Sequence, residues 1–108
     1  LVINDLFETP ILFRGMPLDL LRRGVTASNV LTVYGFVRSV SALVRGNEFV
    51  INYEGLGKPI GDGQYELLID SPITLKEVQC DGCKYEVMTG SIVRVVHSGK
   101  FTIRILGS

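Results

Sequence analysis

From Val40 to Tyr53, apolar residues recur at every second position on either side of Gly46-Asn47, and Leu43 and Val50 are the apolar residues of the other face. Alternation with a period of two marks a strand buried on one face. A Gly-Asn pair between two such runs marks a tight hairpin, because glycine supplies the positive φ that two-residue turns require. A two-residue turn at Gly46-Asn47 pairs Val44 with Phe49, Ala42 with Ile51 and Val40 with Tyr53. All six then share one buried face. The opposite face carries Ser39, Ser41, Arg45, Glu48, Asn52 and Glu54, and is otherwise polar.

Upstream, Val30-Leu31-Thr32-Val33-Tyr34-Gly35-Phe36-Val37-Arg38 reads as the beginning of the same strand. A glycine inside a strand marks a bulge or a sharp bend. Here the alternation fails: Leu31, Val33 and Val37 fall on one face, Val30, Tyr34 and Phe36 on the other. A strand apolar on both faces is covered on both, which places Tyr34 and Phe36 in the core or under the N-terminal segment. Stacking on nucleic-acid bases is the alternative role for these two rings.

A second hairpin is expected from Ser91–Val96 and Lys100–Leu106, turning at His97-Ser98-Gly99. A three-residue turn with Gly99 in the left-handed position pairs Val95 with Phe101 and Val93 with Ile103, leaving Arg94, Lys100, Thr102 and Arg104 outside. A two-residue turn at Ser98-Gly99 would bury Arg94 opposite Ile103, at a cost of roughly several kcal/mol.

The remaining segments are shorter. Val2, Ile3, Leu6 and Phe7, then Pro10-Ile11-Leu12-Phe13, read as extended chain with a break. Pro17 to Gly24 reads as a two-turn helix, with proline at its start, Arg22 and Arg23 at its negative end and Gly24 just past it. Gly55 to Gly63 holds four glycines and reads as a loop. Tyr65 to Asp70 is a strand. Ser71 to Gln79 fits either a capped helix or a strand. The whole is one domain, residues 1–108: an arm and short helix over 1–28, and a small closed antiparallel β-barrel over 29–108. The expected class is all-β.

Composition narrows the function more than the fold. At 108 residues and 46% hydrophobic content the chain can bury a core. No apolar run approaches the ~20 residues that span a bilayer, so no membrane partner is expected. The sequence opens on Leu1 with no signal-peptide pattern, which reads as an artificial boundary or a processed end. Eleven basic residues balance eleven acidic ones. Net neutrality argues against coating nucleic acid by charge alone, yet permits a local basic stripe. The high apolar content, together with the two-sided strand, predicts a protein partner, as a dimer or heteromer, over the long strand, the N-terminal arm or Leu18, Leu20 and Leu21.

Ser28-Asn29-Val30 followed by Leu31 to Arg38 resembles the first barrel strand of single-strand-binding OB domains, such as those of bacterial and mitochondrial SSB, the replication protein A middle subunit and the trypanosome RNA-editing complex. The resemblance covers about 25 residues closely. Where SSB-like domains place a helix or a long excursion between their third and fourth strands, this chain has the short segment Ser71–Gly90. The RNP-type aromatic motif of RRM domains is absent. The resemblance implies an OB-fold module that binds single-stranded RNA or DNA across its outer face, gripped by the two hairpins, within a larger complex. The implied site combines cations for phosphates with platforms for bases. Arg38, Arg45, Asn47 and Asn52 are its candidates on the first hairpin, and Arg94, Lys100 and Arg104 on the last. The alternative is an OB-type scaffold subunit whose main partner is another protein.

Cys80-Asp81-Gly82-Cys83 fits a tight Asp-Gly turn between two reduced cysteines. Half a zinc site, a redox motif and a turn disulfide are its other readings. Only His97 could join the thiols as a soft ligand, so no metal or cofactor is expected. Two cysteines give no sign of a secreted disulfide framework, which points inside the cell. No nucleophile has an evident base and no carboxylate pair is set by spacing, so the chain reads as a non-enzyme.

Overall fold

A computed structural model describes residues 3–5 and 9–108, the first three as backbone only. Val2, Leu6 and Phe7 lie outside the described residues. The chain runs β1 (Ile3–Asp5), β2 (Pro10–Leu12), α1 (Leu18–Arg23), β3 (Val25–Thr32), β4 (Gly35–Arg45), β5 (Glu48–Gly55), β6 (Lys58–Gly61), β7 (Gln64–Asp70), β8 (Glu77–Val87) and β9 (Ile92–Leu106). All strands join one curled sheet in the order β1-β2-β7-β9-β5-β4-β3, with β6 added to β7 and β8 to β9. Every pairing is antiparallel except that of β2 with β7. Among the described residues the architecture is all-β, a half-barrel with one short helix. Among the described residues no pairing joins β3 to β1 or β8, and the sheet path ends at β1 and β3.

The β4–β5 hairpin has the register that its alternation dictates. Val44 faces Phe49, Ala42 faces Ile51 and Val40 faces Tyr53, and all six are buried. Gly46 alone in the turn takes a positive φ, 61°, as the first central residue of a type II′ turn does. The long upstream strand, by contrast, is two strands. Val33-Tyr34 forms a tight turn between Thr32 and Gly35, which face each other as register partners. Thr32 Oγ1 accepts the Tyr34 N–H at 3.2 Å and donates to the Gly35 carbonyl at 2.7 Å. Gly35 sits at φ 115°. A hydroxyl that closes the turn and a glycine just after it let two residues of high β propensity occupy a turn.

β9 corrects the other hairpin. It is one strand of 15 residues that passes through His97-Ser98-Gly99 without reversing. Its first half pairs with β7, its second half with β5, and β8 lines it along both. Val95 therefore faces Leu67 and Tyr85, while Phe101 faces Tyr53. The predicted faces survive because odd positions share a side in either arrangement. Val93, Val95, His97, Phe101, Ile103 and Ile105 are all buried.

The two halves of the sheet meet at a corner in β8 and β9. The register jumps from Asp81 opposite Thr102 to Cys83 opposite His97. Gly82 fits there because a Cβ would lie 3.0 Å from the Lys100 carbonyl oxygen. Cys80-Asp81-Gly82-Cys83 is thus a bulge inside a strand, not a turn between strands. Its cysteines form a disulfide across a Cα separation of 5.6 Å, which corrects the reduced-thiol reading.

Two smaller differences remain. The glycine-rich segment contains β6, which pairs with β7 across the Asp62-Gly63 turn. Ser71 to Lys76 is irregular: the Ser71 hydroxyl accepts the Ile73 N–H at 3.2 Å, and β8 begins at Glu77. Leu21 of α1 joins the core alongside Leu12, Phe13 and Phe49. Pro17 stands just before the helix as its N-cap, and Gly24 donates its N–H to the Leu21 carbonyl at the other end.

Candidate interaction surface

The outer face of β4, β5 and β9 carries most of the expected binding residues. Arg45 faces Glu48 across the first hairpin, Asn52 faces Thr102, and Arg104 lies beside Val50. Of these, Asn52 and Arg104 have protein partners in reach. Arg104 donates to Glu48 at 2.5 Å. Thr102 donates to Asn52 Oδ1 at 2.7 Å. Arg38 emerges at the β4 bulge, with its guanidinium 3.6 Å from Glu54. Lys100 is register partner to the same Glu54.

Two of the candidates serve the fold. Asn47 Nδ2 donates to the Gly107 carbonyl at 3.2 Å, and the Gly107 N–H donates back to the Asn47 carbonyl at 2.7 Å, tying the hairpin tip to the end of β9. Arg94 lies beyond the corner, on the β7 half of the sheet. Its guanidinium is 2.6 Å from Glu66, whose other oxygen accepts from Thr9 at 3.1 Å. Only 32% of the Arg94 side chain is exposed, so this pair is held away from bulk water.

An open groove of about 460 Å³ crosses the face between β3 and β5, and Arg23, Thr26, Ser41, Arg45 and Asn52 line it. Arg23 belongs to this surface although the sequence presented it only as the cation at a helix end. Its neighbour on the other side of β3 is a second groove, formed by Met16, Leu20, Val25, Ala27 and Val30.

The feature that sequence reasoning placed wrongly is apolar. Phe36 is 60% exposed, Leu31 73% and Val33 72%, all at the tip of the β3–β4 hairpin. Leu31 and Phe36 face each other across the ladder. Leu56, also exposed, approaches from the β5–β6 connection, where its Cδ1 would lie 3.1 Å from a Cβ at Gly35. Tyr34 is half-buried. The failed alternation at residues 30–37 was the right signal of an unusual surface, and the missed turn at Val33-Tyr34 carried it outward instead of inward.

His97 is the one buried titratable side chain of β9. Tyr53, Tyr65 and Phe101 surround it at ring-centroid distances of 5.3, 5.9 and 4.9 Å. Nδ1 accepts the Gly99 N–H at 2.9 Å, so a neutral ring carries its proton on Nε2, which meets no hydrogen-bonding partner among the described residues. Burial lowers its pKa to about 4. Among the described residues no cluster of His, Cys, Asp and Glu is arranged to hold a metal ion. Comparison with protein-family models, characterised proteins and solved structures gives no match.

Proposed function

We propose that this chain is a non-catalytic, protein-binding subunit that docks through the tip of its β3–β4 hairpin. The observation that carries this reading is the apolar tip itself: Leu31, Val33, Phe36 and Leu56 stand in solvent on a hairpin whose base is anchored in the core. Contiguous apolar surface on a small protein marks a contact site, and an aromatic at its centre is the usual energetic anchor. The OB-type barrel remains the proposed frame, supported by the long bent strand that serves both halves of the sheet.

Binding of single-stranded nucleic acid is the second reading, and one observation favours it: Arg45 and Asn52 line one open groove with Arg23. It is the weaker reading because Arg38, Arg94 and Arg104 each face a carboxylate, and the chain has no net positive charge. A phosphate would have to displace those carboxylates before it released any counterions.

Photo-crosslinking in the cell of origin tests the proposal. A benzophenone side chain at position 36 is expected to capture one defined protein, and the same group at position 62, on the β6–β7 turn, is not. Equal capture at both positions, or none at position 36, overturns it.

A further inference from the structure

Of the sheet's two long edges, β8 and β3, the stretch of β3 over residues 25–28, before the left-handed Asn29 at φ 53°, is the unprotected one. Natural edge strands avoid unwanted pairing through charges, proline or bulges. β8 uses two of these devices: Glu77, Asp81, Lys84 and Glu86 along its length, and the bulge stapled by Cys80–Cys83. β3 reads Val25-Thr26-Ala27-Ser28-Asn29-Val30-Leu31-Thr32, with no charge and no proline.

The register identifies which backbone groups this edge offers. Arg45 and Glu48 close a two-residue hairpin, so they are a hydrogen-bonded pair, and alternation directs the amides of Ser41 and Ser39 toward β5 as well. The amides of Val40 and Ala42 then point to β3, where they meet Ala27 and Val25. Counting back from the turn between Thr32 and Gly35 gives the opposite phase, and the two phases meet at the left-handed Asn29, φ 53°, opposite the Val37/Ser39 bulge. Before that point Thr26 and Ser28 are left with N–H and C=O groups directed away from the sheet, and both residues are exposed.

The surroundings of that edge fit an incoming strand. Met16, Leu20, Val25, Ala27 and Val30 line a groove of about 510 Å³ along one side of it. Arg23 stands at its beginning and lines the grooves on both sides. Among the described residues neither Arg22 nor Arg23 meets a carboxylate, unlike Arg38, Arg94 and Arg104.

We propose that the β3 edge receives an extended segment of a partner protein, added antiparallel, with alternate apolar side chains over the Met16–Leu20 groove and a carboxylate at its C-terminal end facing Arg23. Main-chain hydrogen bonds supply the affinity in this mode of recognition, and pockets for alternate side chains supply the specificity. The cation pair sets the direction, because an antiparallel strand ends beside Arg23. The inference rests on the protein-binding reading and adds to it the partner's conformation and charge.

The probe is the capped peptide Val-Thr-Val-Thr-Val-Asp, titrated to about 1 mM, the upper range for a short isolated strand, with the full chain. Hydrogen exchange at individual amides is followed by NMR. The peptide is expected to slow exchange at Thr26 and Ser28 by about tenfold, and a version ending in Lys is expected to do so several-fold less. Ser28→Pro removes an outward N–H that the fold does not use, as edge strands tolerate, and should abolish the protection. Arg23→Glu should reverse the preference between the Asp and Lys peptides, which keeps the test decisive if the proline variant misfolds. No protection at either amide, or equal protection by both peptides, overturns the proposal. Protection that grows with protein concentration alone assigns the edge to a second copy and also overturns it. Loss of this binding with crosslinking at position 36 intact would sink the strand-addition inference and leave the docking function standing.

Discussion

The Gly99 amide donates to Nδ1 of His97 over 2.9 Å, and this bond lies at the bend of β9 where the two halves of the sheet meet. It is available only while the imidazole is neutral, because a protonated Nδ1 no longer accepts. The groups packed around the ring are Tyr53 of β5, Tyr65 of β7, Phe101 of β9 and the oxidised Cys83 of β8. None of them is a carboxylate that would stabilise the imidazolium.

The pH dependence follows from burial of the neutral ring. Its folded pKa, about 4, lies below the ordinary 6.5, so the unfolded chain binds the proton first. Stability contributed by His97 is full above pH 6.5, declines as pH falls toward 4 and is flat below that, for a total of up to roughly 3 kcal/mol. His97→Phe should remove this share of the slope while costing about 1–2 kcal/mol at pH 7, because the Gly99 N–H loses its acceptor. Urea unfolding between pH 7 and 4 measures both. A parent and variant with the same pH slope would contradict the assignment.

The Cys80–Cys83 bridge closes a loop of four residues at the same corner. Chain entropy assigns so small a loop about 2 kcal/mol of stabilisation. The double variant Cys80→Ser and Cys83→Ser is expected to unfold with that deficit in urea, and reductant should impose it on the parent but not on the variant. A parent whose unfolding midpoint ignores reductant would show that the bulge holds its shape without the bond.

Exposed and buried phenylalanines should respond oppositely to substitution. Phe36 stands in solvent, so Phe36→Asp is expected to change stability by no more than about 0.5 kcal/mol while abolishing the crosslinked partner. Phe49, fully buried and edge-on to Phe13 at 5.7 Å, should cost about 3–5 kcal/mol when cut to alanine. Denaturation of the two variants side by side separates the docking surface from the core. A large loss at Phe36→Asp would return that ring to the core, where a strand apolar on both faces first put it.

What the sequence made legible depended on how far apart the interacting residues were. Gly46-Asn47 and the alternation around it fixed six core residues and their partners, because turn and strands are contiguous. At His97-Ser98-Gly99 the same logic yielded the right faces and the wrong path, since a three-residue hairpin and an unbroken strand place odd positions on the same side. Val33-Tyr34 concealed a turn behind two strand-forming residues, and its signal lay in the flanking Thr32 and Gly35. Arg38, Arg45, Lys100 and Arg104 are exposed, while Arg94 is held in its pair with Glu66. Their neutralisation was not readable, because Glu66 meets Arg94, and Glu48 meets Arg104, only through strand pairings that span 28 and 56 residues.

That neutralisation provides the test between the two proposed functions. Glu48→Gln removes the carboxylate held by Arg104 and leaves the guanidinium, on an exposed face, with one more charge to offer. If phosphates bind there, the variant should bind a labelled single-stranded oligonucleotide more tightly than the parent, with the slope of log affinity against log salt steeper by roughly 0.7. Arg45→Ala and Arg104→Ala should then lower that slope by a similar step. For a subunit that docks through its hairpin tip, the expected result is different. The parent should bind the oligonucleotide no tighter than about 100 µM at physiological salt, the weak end of non-specific contacts, and none of the three variants should change the slope. A parent that binds at micromolar concentration, with a slope that follows Glu48, Arg45 and Arg104, would transfer the function to the basic face.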